Sequence, residues 1–207
     1  SLLSYNISSP DDPVLLDSIF LASTRNNYYP AKDIVFYNDH LLISLWIDDG
    51  HGDSPGPIIL VVDATNPRDL RSEEINCVEP SPFNAIYVRD DKLIGVGGSQ
   101  GYIYDISNLD SIRLINSWDI GEHRQATSFL YENLLFIGGD ALLVYDISDY
   151  DDPQLISEMW LPFPVNDVSV SDGFLHTVQR YTYDVYQFND PRGVAKEYLN
   201  GLPTTLI

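Results

Sequence analysis

Cysteine is nearly absent from this chain: Cys77 stands alone among 207 residues. A single thiol excludes an intrachain disulfide framework and the paired-cysteine metal sites. Its segment, EEINCV (73–78), reads as a strand, with Cys77 as a small buried hydrophobe. Lysine is scarce too, at Lys32, Lys92 and Lys196, and 11 basic residues face 31 acidic ones for a net charge of −20. Such a surface repels a phosphate backbone, so nucleic acid is a poor partner. Long hydrophobic runs are missing as well. The strongest are IILVV (58–62) and LLFI (134–137), far short of the roughly 18–20 residues that span a bilayer.

Aspartate is abundant, with 24 of the 31 acids. That charge suits solubility in salt, a cation-rich extracellular setting or a basic partner. It also follows from aspartate's preference for turns. Apolar residues make up 44% of the chain, enough for a substantial core.

The same phrase is spelled several times. LLSYNISSPDDP (2–13) and LLVYDISDYDDP (142–153) share eight of twelve positions without a gap. Tyr5-Asn6-Ile7-Ser8 is answered by Val62-Asp63-Ala64-Thr65, by Tyr104-Asp105-Ile106-Ser107, by Tyr145-Asp146-Ile147-Ser148 and by Tyr186-Gln187-Phe188-Asn189. The steps are 57, 42, 41 and 41 residues, so the first is the outlier. Within a unit, short apolar strands alternate with turn residues and no helical period occurs. Four strands in about 41 residues is the spacing of a β-propeller blade.

Lettering the strands A to D from the channel outward, A is AIYV, ATSFL or DVSV, and B is KLIGV, LLFIG or FLHTV. C carries the YDIS phrase, and D is RLINSW or QLISEMW. The aspartates closing C (Asp63, Asp105, Asp146) should bond local backbone in the C–D turn, and Pro13, Pro67 and Pro153 lie beyond it. The chain opens with C and D of one blade, four A–B–C–D sets follow, and LPTTLI (202–207) resembles the start of another A. The expectation is one all-β domain over 1–207. It is a propeller of four-stranded antiparallel blades, five in number, with both chain ends sharing one blade, and monomeric.

Units such as LLVYDISDYDDPQLISEMWLP followed by VNDVSVSDGFLHTV resemble the LVIVD-repeat propellers of bacterial and archaeal surface or secreted proteins. The likeness covers nearly the whole chain, best over 101–139 and 141–179. It implies the propeller fold and a prokaryotic cell-surface or extracellular setting, often inside a larger protein. It implies no catalytic set.

In a propeller the D–A and B–C loops collect on one face. The two loops that lengthen the first step both fall there: LASTRNNYYPA (21–31) and DDGHGDSPGP (48–57). Repeat-breaking insertions on one face are where function concentrates. Arg25, Tyr28 and Tyr29 offer aromatic and guanidinium chemistry for a sugar or peptide. Asp48, Asp49 and Asp53 offer oxygens to calcium, without the spacing of an EF-hand, and an acidic turn accounts for them equally. His51 has no second histidine at useful spacing. His123, Arg124, Arg180 and Tyr181 lie on shorter loops of the same face. GVGGSQG (95–101) stands between two strands, so it is a B–C turn and no dinucleotide fingerprint. Asn6-Ile7-Ser8 is a glycosylation sequon, meaningful only in a glycosylating host.

These residues favour a non-catalytic module binding a protein or glycan, with no cofactor beyond calcium at 48–53. The alternative is a glycosidase-like hydrolase using mouth carboxylates, for which Asp33, Asp167 and Glu122 make a trio. The corresponding positions in other blades are Ala85 and Thr127. A lectin with one site per blade would need near-identical mouth loops, and these differ in length and chemistry.

Overall fold

A computed structural model describes residues 1–19, 31–46, 57–76, 83–121 and 127–187. Strands dominate them. β1 (Leu2–Asn6) pairs with β2 (Val14–Ile19) in a two-stranded sheet. β3 (Ala31–Tyr37), β4 (His40–Trp46), β5 (Pro57–Asp63) and β6 (Arg71–Asn76) form a four-stranded sheet in sequence order. So do β7 (Ala85–Arg89), β8 (Lys92–Gly97), β9 (Gln100–Asp105) and β10 (Arg113–Asp119). So again do β11 (Thr127–Tyr131), β12 (Leu134–Gly138), β13 (Ala141–Asp146) and β14 (Gln154–Trp160). β15 (Val165–Ser171), β16 (Phe174–Gln179) and β17 (Tyr183–Gln187) make a three-stranded sheet. The described residues are all-β, in five antiparallel sheets. A single 3-10 turn, Leu109–Ser111, is the one helical element among the described residues.

The strands follow the apolar runs and turn residues, except that β8 and β9 extend into GVGGSQG, where backbone pairing leaves only Gly98 and Ser99 as the turn. The two-residue A–B turns hold Asn38 and Asp39 at φ 45° and 61°, and Asp90 and Asp91 at 48° and 55°. Two successive left-handed residues define the hairpin turn whose twist matches that of the strands, and Asn and Asp tolerate it. β12 is buried at every position and β13 at every position but its last, Asp146. That explains why LLFIG and ALLVY show continuous apolar runs rather than alternation.

Register shifts recur at equivalent places. One lies between Ser4 and Tyr5 and another between Val144 and Tyr145, each just before the tyrosine of the phrase. A second pair lies between Ala31 and Asp33 and between Val165 and Asp167. Recurrence marks these bulges as part of the repeat.

The chain divides into two compact units, residues 1–95 with 104–113 and residues 96–103 with 114–207. In the first, Ile43, Leu45, Leu60 and Val62 form a buried cluster, with Leu2 of β1 and Leu70 packed on it. β3 lies against β7. In the second, Phe136, Leu142 and Val144 meet Val165, Val168 and Leu175 of the following sheet. Close packing there admits no side chain at Gly138, whose added Cβ would stand 2.7 Å from Val165 Cγ1. Strand LPTTLI and Cys77 lie outside the described residues, so the shared blade and the single-ring closure do as well.

Candidate binding surface

The phrase itself is turn machinery. The side-chain oxygens of Asn6, Asp63, Asp105 and Asp146 each accept from the backbone N–H two residues on, at 2.9, 2.9, 3.0 and 2.9 Å. A second such turn follows, in which Asn66, Asn108 and Asp149 accept from Arg68, Asp110 and Asp151 at 3.1, 3.1 and 3.0 Å. Hydrogen bonds from Ser107 hold the Asp105 carboxyl down at about 2, with Lys92 and Arg113 adding to the effect. The same kind of bond, from Thr65, lowers Asp63. On the A–B side, Tyr37 Oη donates to Asp91 Oδ1 at 2.6 Å. Burial, then the Asp91 hydrogen bond and charge, push the Tyr37 phenol up to about 12.

Asp33 and Asp167, two members of the hydrolase trio, are committed to backbone and neighbouring strands. Asp33 Oδ1 accepts from Ile34 N at 2.8 Å, and its Oδ2 accepts from Ile86 N of β7 at 2.9 Å. Asp167 Oδ1 accepts from Val168 N at 2.9 Å and from Thr127 Oγ1 of β11 at 3.4 Å. Each carboxylate caps the bulge at the start of its strand and ties that strand to a neighbour. The outer strands carry a parallel device. Asp17 of β2 accepts from Leu70 N at 2.7 Å, and Asn116 of β10 donates to Asp151 O at 2.8 Å.

Arg25, Tyr28, Tyr29, Asp48, Asp49, His51, Asp53, Glu122, His123 and Arg124 lie outside the described residues. Arg180 and Tyr181 are described, and they have company the sequence did not single out. Gln179, only 3% exposed at the end of β16, joins two loops. Its Oε1 accepts from Phe163 N, in the loop after β14, at 3.2 Å. Its Nε2 donates to Asp184, which also accepts from Thr182 Oγ1 at 3.3 Å. Gln179 N donates to Thr182 O at 2.9 Å and closes the 180–182 turn.

This frame presents three side chains outward. The Phe163 and Tyr181 rings meet edge to face, with centroids 5.2 Å apart at 83°. Arg180 Cζ lies 5.2 Å from the Tyr181 centroid. Tyr181 is 68% exposed and Phe163 38%. Aromatic rings held open to solvent beside a guanidinium can stack a planar or ring ligand while the cation reaches a polar or anionic group. Phe163 sits in LPFPVN (161–166), the connection after β14, and nothing in that hexapeptide says which residue faces outward.

A second feature lies on the same sheet. A cavity of about 230 Å³ is lined by Asp167, Ser169, Ser171, His176 and Tyr183 among others. His176 bridges Ser171 Oγ at 3.0 Å and Tyr183 Oη at 2.5 Å, so both ring nitrogens are engaged. In strand B the histidine stands where Phe136 stands one unit earlier. Among the described residues, no three His, Cys, Asp or Glu side chains converge to hold a metal ion, and no helix is long and apolar enough to cross a membrane.

No protein-family model matches the chain, and no curated protein does. Solved structures do. The computationally designed Ika4 protein aligns with 83% of this chain and 99% of its own, at 13% identity and a TM-score of 0.58. The computationally designed Ika8 protein aligns with 76% of this chain at 12% identity and a TM-score of 0.57. Here the chain spans under half, 46%, of the other's length. At such identity the likeness concerns fold alone.

Proposed function

We propose that the chain is a five-bladed β-propeller of the LVIVD-repeat kind. It serves as a non-catalytic interaction module of a cell-surface or secreted protein and binds a protein or glycan partner. The three four-stranded sheets of identical strand order, with bulges and turns at equivalent positions, support the blade reading. In this reading both chain ends share one blade, and the loops after B and D strands form the binding face. The observation that carries the function is the exposed Phe163–Tyr181–Arg180 cluster, held by the buried Gln179 at the junction of two such loops. Exposed aromatics beside arginine are the chemistry of binding hot spots. The bonds of Asp33 and Asp167 to backbone speak against their use as free acid and base.

Glycan and peptide arrays probed with the wild-type chain test this. The ligand retained should be lost in Tyr181→Ala, at least about 30-fold in affinity for a hot-spot residue, with thermal midpoint unchanged. Binding indifferent to Tyr181→Ala, Phe163→Ala and Arg180→Ala would overturn the assignment. Glycoside turnover abolished by Asp167→Asn would replace it with the hydrolase.

A further inference from the structure

The Phe163–Tyr181–Arg180 site carries one cation, and the fold keeps carboxylates away from it. Among the described residues, ion pairs engage Arg71, Arg89, Lys92 and Arg113, with Asp69, Asp90 and Asp105 as partners. Arg180 joins none of these pairs, in a chain where 31 acids face 11 bases. The acid nearest to it in sequence, Asp184, is engaged inside the frame, where its Oδ2 accepts from Gln179 Nε2 and Thr182 Oγ1. Arg180 lies over the Tyr181 ring instead, 5.2 Å from the centroid. A guanidinium held above a ring keeps its N–H donors at its rim, where they match the two oxygens of a carboxylate.

The apolar part of the site is a corner rather than a platform. Phe163 and Tyr181 meet at 83°, and Arg180 already lies over the Tyr181 ring. A pyranose stacks on one broad open ring face, whereas a corner between two ring planes holds a compact apolar side chain. The charge of the whole chain, −20, adds a second selection. It repels a polyanion such as an acidic polysaccharide and attracts a partner whose remaining charges are positive.

We propose that this site takes a peptide in which an apolar side chain adjoins a single carboxylate, presented by a partner of net positive charge. The inference rests on the binding reading above and narrows its partner from protein or glycan to a basic protein. The apolar side chain enters the Phe163–Tyr181 corner. The carboxylate, from a chain terminus or from an acidic side chain, receives the Arg180 N–H donors. Gln179, only 3% exposed, fixes both loops beforehand, so little ordering is left for the binding step. The negative field of the chain speeds the approach of a basic partner.

Synthetic peptides titrated into the full chain and followed by NMR test it: KGKSGL with a free C-terminus, the same peptide amidated, and amidated KGKSEL. Saturable shifts at Phe163 and Gln179–Thr182 are expected with the free-terminus peptide, the internal-glutamate peptide or both, which distinguishes the two sources of carboxylate. Amidated KGKSGL, which has none, should bind at least about tenfold more weakly. Arg180→Gln should erase that preference, and Arg180→Lys should keep part of it. Replacing the peptide lysines by glutamate should weaken binding at low salt and make no difference at about 1 M, where the screening length is about 3 Å. Absence of binding by both carboxylate peptides, equal binding with and without a carboxylate, or binding of glucuronate oligomers where the peptides fail, overturns the proposal. An array ligand lost in Tyr181→Ala but indifferent to Arg180→Gln overturns it too and leaves the binding reading standing. Array ligands indifferent to Tyr181→Ala, Phe163→Ala and Arg180→Gln remove both.

Discussion

Replacing Asp33 by asparagine separates a structural carboxylate from a catalytic one. Both Asp33 oxygens are used, one by Ile34 N at 2.8 Å and one by Ile86 N at 2.9 Å. Asparagine keeps one acceptor and presents an N–H₂ where the other stood. The Ile86 amide, in a strand whose neighbours are partly buried, then faces a donor. A hydrogen bond to a charged group contributes about 1.5–3 kcal/mol. Partial exposure of this site places the expected loss at the lower end, about 1.5 kcal/mol, or roughly 3–6 °C in Tm for a chain of this size. Asp167→Asn should cost less, about 0.5–1 kcal/mol, because its bond from Thr127 Oγ1 is long, at 3.4 Å. Urea denaturation gives both numbers, and hydrogen exchange at Ile86 localises the first. Equal stability of wild type and Asp33→Asn would refute the clip. A gain in stability would point to a strained functional carboxylate instead.

Three further outcomes follow from the geometry. Gly101→Ala should destabilise by about 1–3 kcal/mol through overpacking, since its Cβ would lie 2.2 Å from Trp118 Cζ2 and 2.4 Å from Cε2. Adding Trp118→Leu should recover part of that loss, and additive effects in a double-mutant cycle would show that the two sites do not touch. Tyr37 is raised from 10.0 to about 12, so the stability it contributes is complete below about pH 10 and is lost as pH rises through about 12. Absorbance at 295 nm should show this late ionisation in wild type, and Tyr37→Phe should remove that part of the alkaline loss. Asp105 moves the other way, from 3.8 to about 2. Its contribution is present above about pH 4 and lost as pH falls through about 2. Carboxyl NMR titration should show Ser107→Ala raising its pKa more than Lys92→Ala does.

The repeated phrase revealed the strands because burial and turn chemistry are both local. LIGV (93–96) and LLFIG carry no polar side chain at consecutive positions because both faces are covered, and DD at 90–91 announces its hairpin by residue type alone. Even the turn role of Asp63, Asp105 and Asp146 was legible, since the bond spans two residues. Ties between strands were not. Nothing near Asp33 in sequence names Ile86, 53 residues away, as its partner. Tyr181 stands out in the sequence as a loop aromatic, but its meeting with Phe163 depends on Gln179, and nothing local marks that glutamine as the buried link between two loops. His176 falls inside FLHTV as one more strand position, and a histidine in place of Phe136 is the signal that sets it apart.

The tandem turns after each C strand also bear on how such a chain changes over time. Asn6 performs the task of Asp63 and Asp146, and Asn66 and Asn108 perform that of Asp149, with the same bond and nearly the same length. Acid and amide are interchangeable where only one oxygen is asked for. The isoelectric point is thus free to drift by single substitutions that leave the backbone untouched. A lineage moving between saline and dilute surroundings, or an engineer seeking a less acidic scaffold, can retune surface charge turn by turn. Asp105, engaged by Lys92 and Arg113, is the member of the set to leave alone.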